Sequence, residues 1–234
     1  MRPPAPLELL NLVERGAQAP GPRRMLLVLE AAVPEATPDA LARLPIGRRD
    51  ALLLQLRELL FGPEFEAMTP CPGCNDRLEV VLDMSDVRRP LPDRAPESMR
   101  IGVDEIRFRL PNSLDLLAVA EETDPAARGR MLWRRCVEGS AAAVSDQVRA
   151  AVSDAMRRCD PQAEAEVPLQ CPACGHAWNE RFDIAGFLWD EIHAWSLRTL
   201  REVHALASAY GWSEAEILSL SPTRRRHYLE LVQA

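Results

Sequence analysis

The chain has 234 residues, with 28 basic and 35 acidic side chains and a formal net charge of −7; every basic residue is arginine. An apolar share of 47% beside 27% charged residues excludes general disorder, and no apolar run reaches the ~18 residues of a membrane span. The acidic balance argues against a surface that coats nucleic acid, and the start at Met1–Pro4 lacks an apolar leader region, so a cytoplasmic protein without membrane contact is expected.

Residues 1–63 read as a helical segment. A short helix over Leu7–Glu14 ends near Gly16, and Pro20-Gly21-Pro22 breaks the chain. Arg23–Ala32 carries a second apolar helix that stops before Pro34, and Thr37-Pro38 has the form of a capped helix start. A stronger helix opens at Ile46 and runs to Phe61. Leu52, Leu53, Leu56, Leu59 and Leu60 recur at helical spacing along it, and Gly62-Pro63 ends it.

The cysteines carry the chemistry. Of six, four form two matching pairs, Cys71-Pro72-Gly73-Cys74 and Cys171-Pro172-Ala173-Cys174. A C-P-x-C turn aims both thiolates at one point, and two such knuckles complete a tetrahedral shell of four thiolates for one structural Zn²⁺. Disulfides, or a thioredoxin-like redox role for one pair, are the weaker readings. A compact zinc ribbon separates its pairs by about 15–20 residues, whereas here residues 75–170 intervene. Alternating flanks around each pair suit strands. The expected fold is therefore α+β and mainly helical. It contains a split zinc ribbon whose two knuckle hairpins, residues 64–84 and 164–182, are joined by metal. Between them lies an insertion, 85–163, and a C-terminal helical bundle, 183–234, follows. Cys136 and Cys159 lack ligand spacing and read as ordinary thiols; His176 reads as a neighbour of the site or a surface residue.

Within the insertion, Arg88–Pro96 is a proline-rich linker, and Arg100–Leu110 suggests a hairpin turning at Asp104-Glu105. Asn112 caps a helix, with Asp115 placed at its positive end; further helices are expected over Pro125–Glu138 and Ser145–Arg158. Asp183 is the expected cap of a long helix to Tyr210, ended by Gly211. Leu188, Ile192, Trp195, Val203, Leu206 and Tyr210 stripe it, widened by Phe187, Trp189 and Leu200. Ser213–Glu216 is a capping box, and Ser221-Pro222 starts the last helix. The apolar surplus of this region marks it for partner binding, with Trp212 and Tyr228 as the candidate contacts.

No phosphate loop, H-E-x-x-H or nucleophile elbow occurs, so no enzyme is expected. His193 and His204 lie three helical turns apart, about 16 Å, too far to share one ion. Arg224-Arg225-Arg226 is the single concentrated basic run, and on it rests the alternative of a zinc-ribbon regulator that binds nucleic acid.

Several segments together resemble proteins of contractile injection systems. They are Leu44–Leu53, Arg57–Gly62, Cys71–Cys74 and Leu78-Glu79; Cys171–His176 running into Phe182–Ile184 and Leu188–Ile192; and Glu202–His204, Tyr210–Leu218 and Arg225–Leu229. The family is that of phage baseplate proteins and T-even-type baseplate hub assembly chaperones, in a zinc-bearing subgroup. The likeness runs through most of the chain from Leu44 onward. It implies a non-enzymatic assembly chaperone or structural baseplate component that binds a hub or tape-measure component.

Overall fold

The structure, a computed structural model, describes residues 1–92, 98–101, 104–138 and 145–233. Helices α1 (Pro6–Gly16), α2 (Gly21–Ala32), α3 (Pro38–Ala42) and α4 (Ile46–Phe61) form in the expected segments, but α2 begins within the Pro20-Gly21-Pro22 break, since proline fits the first turn of a helix. The Thr37 hydroxyl accepts the Ala40 N–H at 3.2 Å, which starts α3. Strands β1 (Glu64–Pro70) and β2 (Arg77–Asp83) pair antiparallel. A short helix α5 (Met84–Val87), absent from the sequence expectation, follows because Asp83 accepts the Ser85 N–H and caps it.

Strands β3 (Ser98–Ile101) and β4 (Asp104–Arg107) form the expected hairpin of the insertion, with a different turn. Ile101 pairs with Asp104 and Arg100 with Glu105, so Asp104 and Glu105 are strand residues. The connection at 102–103, including Val103, lies outside the described residues. Helices α6 (Ser113–Ala118), α7 (Pro125–Cys136) and α8 (Asp146–Cys159) come next. The α7 helix stops two residues before the expected Glu138, because Val137 bridges to Phe108 and the Glu138 N–H bonds to the Arg107 carbonyl. A buried carboxylate, Asp115, ties α6 to α7. Arg109 reaches it at 2.5 and 2.8 Å, and Arg135 at 2.8 Å.

After a 3₁₀ turn (Pro161–Glu164) come β5 (Glu166–Gln170) and β6 (Ala177–Arg181), then α9 (Ile184–Tyr210), α10 (Glu214–Ser219) and α11 (Pro222–Gln233). Asp183 caps α9 by accepting the Ala185 N–H at 3.1 Å. The three sheets of the described residues are all two-stranded and antiparallel, so the molecule is mainly helical with small β elements.

One core joins chain segments that are far apart. Leu9 and Leu12 of α1, Val28 and Leu29 of α2, and Leu53, Leu54 and Leu56 of α4 pack with Leu188, Trp189 and Ile192 of α9. Phe65 of β1 and Val167 of β5 close one end. Burying each side chain of this size is worth about 1.5–3 kcal/mol, so this cluster dominates stability. The insertion docks on α4: the Asp160 carboxylate accepts the Gly47 N–H at 2.8 Å, and the Pro111 carbonyl accepts the Ile46 N–H. A smaller cluster of Leu10, Val203, Leu206, Ile217 and Leu218 holds the C-terminal helices. The stripe on α9 is narrower than the sequence suggests: Leu200 and Tyr210 are exposed, whereas Ser196 and Thr199 are buried. Among the described residues, no helix is long and apolar enough to cross a membrane.

Candidate metal centre

Each cysteine pair sits at the tip of a hairpin, and the two tips have the same backbone. In the first, the Cys71 N–H donates to the Asp76 carbonyl, and the Asn75 N–H donates back to the Cys71 carbonyl. In the second, the Cys171 N–H donates to the His176 carbonyl, and the Gly175 N–H to the Cys171 carbonyl. The chain then turns back through a left-handed residue, Asn75 at φ 61° and Gly175 at φ 74°. Asparagine and glycine are the residues that adopt this conformation at least cost.

The structure brings all four cysteines of the two pairs to one place. Their ligand atoms lie within 4.8 Å of one another. Two close approaches run between hairpins, Cys71 to Cys174 at 3.7 Å and Cys74 to Cys171 at 3.6 Å. Cys71 and Cys171 are buried, while Cys74 and Cys174 face solvent. The other two cysteines stay apart from this cluster. Cys136 is buried near Asp115, and burial pushes its thiol up to about 11, an unreactive state.

Electrostatics keep the clustered thiols from ionising together. Burial pushes the Cys71 thiol up, but the Cys74 and Gly73 N–H groups and the neighbouring thiols pull it down to about 7. Cys74 moves the other way: the Asp76 N–H favours its thiolate, but the surrounding thiols, Cys174 first, drive it up to about 12. Sulfurs this close cannot all ionise unless a positive ion sits among them. The donor set, four thiols and no exchangeable oxygen, fits a soft or borderline metal ion.

Contacts around the sulfurs lock the two hairpins together. The Gly73 N–H donates to Cys71 Sγ at 3.3 Å. Any side chain at Gly73 would come within 3.0 Å of His176 Cβ, so His176 is a packing neighbour of the site. Its ring stacks on Trp178 at 6.0 Å. Glu180 bridges the sheets, accepting from Thr69 Oγ1 of β1 at 3.1 Å and from Trp178 Nε1 at 2.9 Å. The Thr69–Glu180 link joins different hairpins, and no local motif announces it.

Trp212 and Tyr228 lie far along the chain from the sulfurs and meet each other. Their rings make an edge contact at 4.9 Å, and Tyr210 stacks on Trp212 at 4.7 Å. Both are half-buried and pack against the cluster around Leu206 and Ile217. In the basic run, Arg225 is buried and bound to Glu202 at 3.2 Å.

The model of one protein family, described as T4 bacteriophage base plate protein, matches residues 22–189, a span that includes both cysteine pairs. No curated protein and no solved structure matches the chain.

Proposed function

The chain belongs to the T4 bacteriophage base plate protein family, and on that premise we propose a non-enzymatic assembly role in the baseplate of a contractile, phage-tail-like injection system. In this reading the protein is an assembly chaperone or a structural component that binds a hub or tape-measure component, and one zinc ion staples it. The family match carries the first part.

The convergence of Cys71, Cys74, Cys171 and Cys174 supports the zinc. Sulfurs bound to one zinc at about 2.3 Å would stand about 3.8 Å apart in a regular tetrahedron. Two distances between the hairpins, 3.6 and 3.7 Å, fall close to that edge, and all four sulfurs lie within 4.8 Å of one another. Zinc would supply a tie between hairpins that are distant in sequence, and four protein ligands leave no position for a catalytic water. The Gly73 N–H and the hairpin backbones orient the thiolates, and His176 with Trp178 covers one side.

Partner contact is assigned to Trp212 and Tyr228, whose rings are only half covered by their own chain. The alternative, a nucleic-acid-binding regulator, loses support from the Arg224–Arg226 run, since Arg225 is spent on Glu202 inside the fold.

The test is purification of the tagged chain from cells assembling such particles, with mass spectrometry of what accompanies it and a search for the chain in finished particles. A hub or tape-measure component is expected. Recovery of nucleic acid without any baseplate protein would overturn the reading.

A further inference from the structure

The two hairpins correspond position for position. Glu66 pairs with Val81 as Glu166 pairs with Arg181, and Met68 with Glu79 as Pro168 with Asn179. Their inner faces serve the same end: Ala67, Val80 and Leu82 in one, and Val167, Leu169 and Phe182 in the other, pack towards the core. Their outer faces differ. Met68 is 68% exposed and Val81 66%, among the most exposed large apolar side chains of the described residues. The register makes them diagonal neighbours on one sheet face, within reach of each other. The matching positions of the second hairpin carry Pro168 and Arg181. The fold of such a hairpin therefore does not demand an apolar outer face, and the first hairpin has one in addition to what its folding needs.

Charge narrows what can cover it. Glu64, Glu66 and Glu79 alternate with Met68 and Val81 along this face, and all are exposed. Arg77, at the tip of the same face beside Pro70, is outnumbered by these three carboxylates, so a second copy of the chain laid on it would set mostly carboxylate against carboxylate. We propose that the outer face of the β1–β2 hairpin docks a segment of another protein that presents an apolar side chain flanked by arginine or lysine. The apolar residue packs between Met68 and Val81, and the basic residues meet Glu66 and Glu79. The β1–β2 pairing and the β2 link to α5 hold the face in shape, so little order is lost on binding. This surface is separate from Trp212 and Tyr228, and so goes beyond the role proposed above.

The test uses the full chain in cells that express the complete baseplate gene set, with Met68 replaced by the photo-crosslinker p-benzoylphenylalanine and a control chain with the same replacement at Pro168. Position 68 should crosslink to a different protein, at a peptide with Arg or Lys within a few residues of a large apolar side chain. Position 168 should give none of this product. With the crosslinker at 68, Val81→Arg should cut the yield about tenfold, and Glu79→Lys should do the same by repulsion, with thermal unfolding unchanged in both. A crosslink to a second copy, to an acidic segment, or equally from both positions would overturn the proposal. If baseplate proteins still co-purify while position 68 yields nothing, this inference falls and the assembly role stands. If position 68 captures a basic segment from a protein outside the baseplate, the docking face stands and the assembly role falls.

Discussion

The guanidinium of Arg57 forks onto the carboxylate of Glu191, with Nε at 2.9 Å and Nη2 at 2.7 Å. The same buried side chain donates to the Gly62 and Glu64 carbonyls at 2.7 and 2.9 Å and lies over the Phe65 ring at 5.2 Å. One residue thus ties α4, the start of β1 and α9 together. Lysine keeps the charge but cannot make the planar fork or satisfy both carbonyls. Arg57→Lys should lower unfolding free energy by about 2–4 kcal/mol, measured by urea titration. A loss below half a kcal/mol would mean that solvent replaces these bonds.

Elemental analysis of protein purified without added metal should return about one Zn²⁺ per chain. Cys171→Ser should lose metal and thermal stability together, because the bound ion closes a loop that spans the whole insertion. Cys136→Ser should keep its metal, since Cys136 lies outside the sulfur cluster. Equal metal content in the two variants would sink the assignment.

Asp50 is buried beside Arg49, with Nη2 to Oδ1 at 2.6 Å. Burial outweighs Arg49, and the charges of Asp183 and Asp160 add to it, so its carboxyl is pushed from 3.8 up to about 6. A raised acid binds its proton more tightly in the folded state. Its contribution to stability therefore grows as pH falls from 7 through 6 and is complete below the unfolded value near 4. Compared with Asp50→Asn, the wild type should gain on the order of 1 kcal/mol between pH 7 and pH 5. Taking the difference between the two proteins cancels the acid sensitivity of the thiolate site, which they share. A difference that stays flat, or that reverses sign, would show Asp50 ionised throughout.

Trp212→Ala and Tyr228→Ala are expected to leave zinc content and folding in place while abolishing co-purification with a hub or tape-measure component. Both rings touch Tyr210, itself 39% exposed, so truncation removes surface packing more than deep core. Unfolding of both variants would mark the rings as core, and normal binding by both would move the interface elsewhere.

What the sequence announces is what short stretches decide. Thr37, Asn112, Asp183 and Ser213 each cap a helix by bonding within three residues, and the C-P-x-C turns shape their own tips. That the two tips meet follows from coordination chemistry, which asks for four sulfurs, although nothing in residues 75–170 points to it. Hidden from the sequence are the pairings across distance: Asp160 on the start of α4, Arg57 with Glu191, and Thr69 with Glu180. Such partners are chosen by packing, and single residues carry no mark of it. The width of the α9 stripe misleads for the same reason. Leu200 and Tyr210 fit the period, but neighbours cover Ser196 and Thr199 instead.

The shared core of α1, α2, α4 and α9 has a consequence for synthesis. The apolar faces of Leu53, Leu54 and Leu56 leave the ribosome long before Leu188 and Ile192, their packing partners. At about 5–20 residues per second, many seconds pass in which the first four helices stand without the one that covers them. The nascent chain must carry that sticky surface through translation of the entire insertion, and the second cysteine pair emerges only just ahead of α9. The meeting of the two cysteine pairs and the closure of the core are thereby timed together, and both fall late in the life of the growing polypeptide.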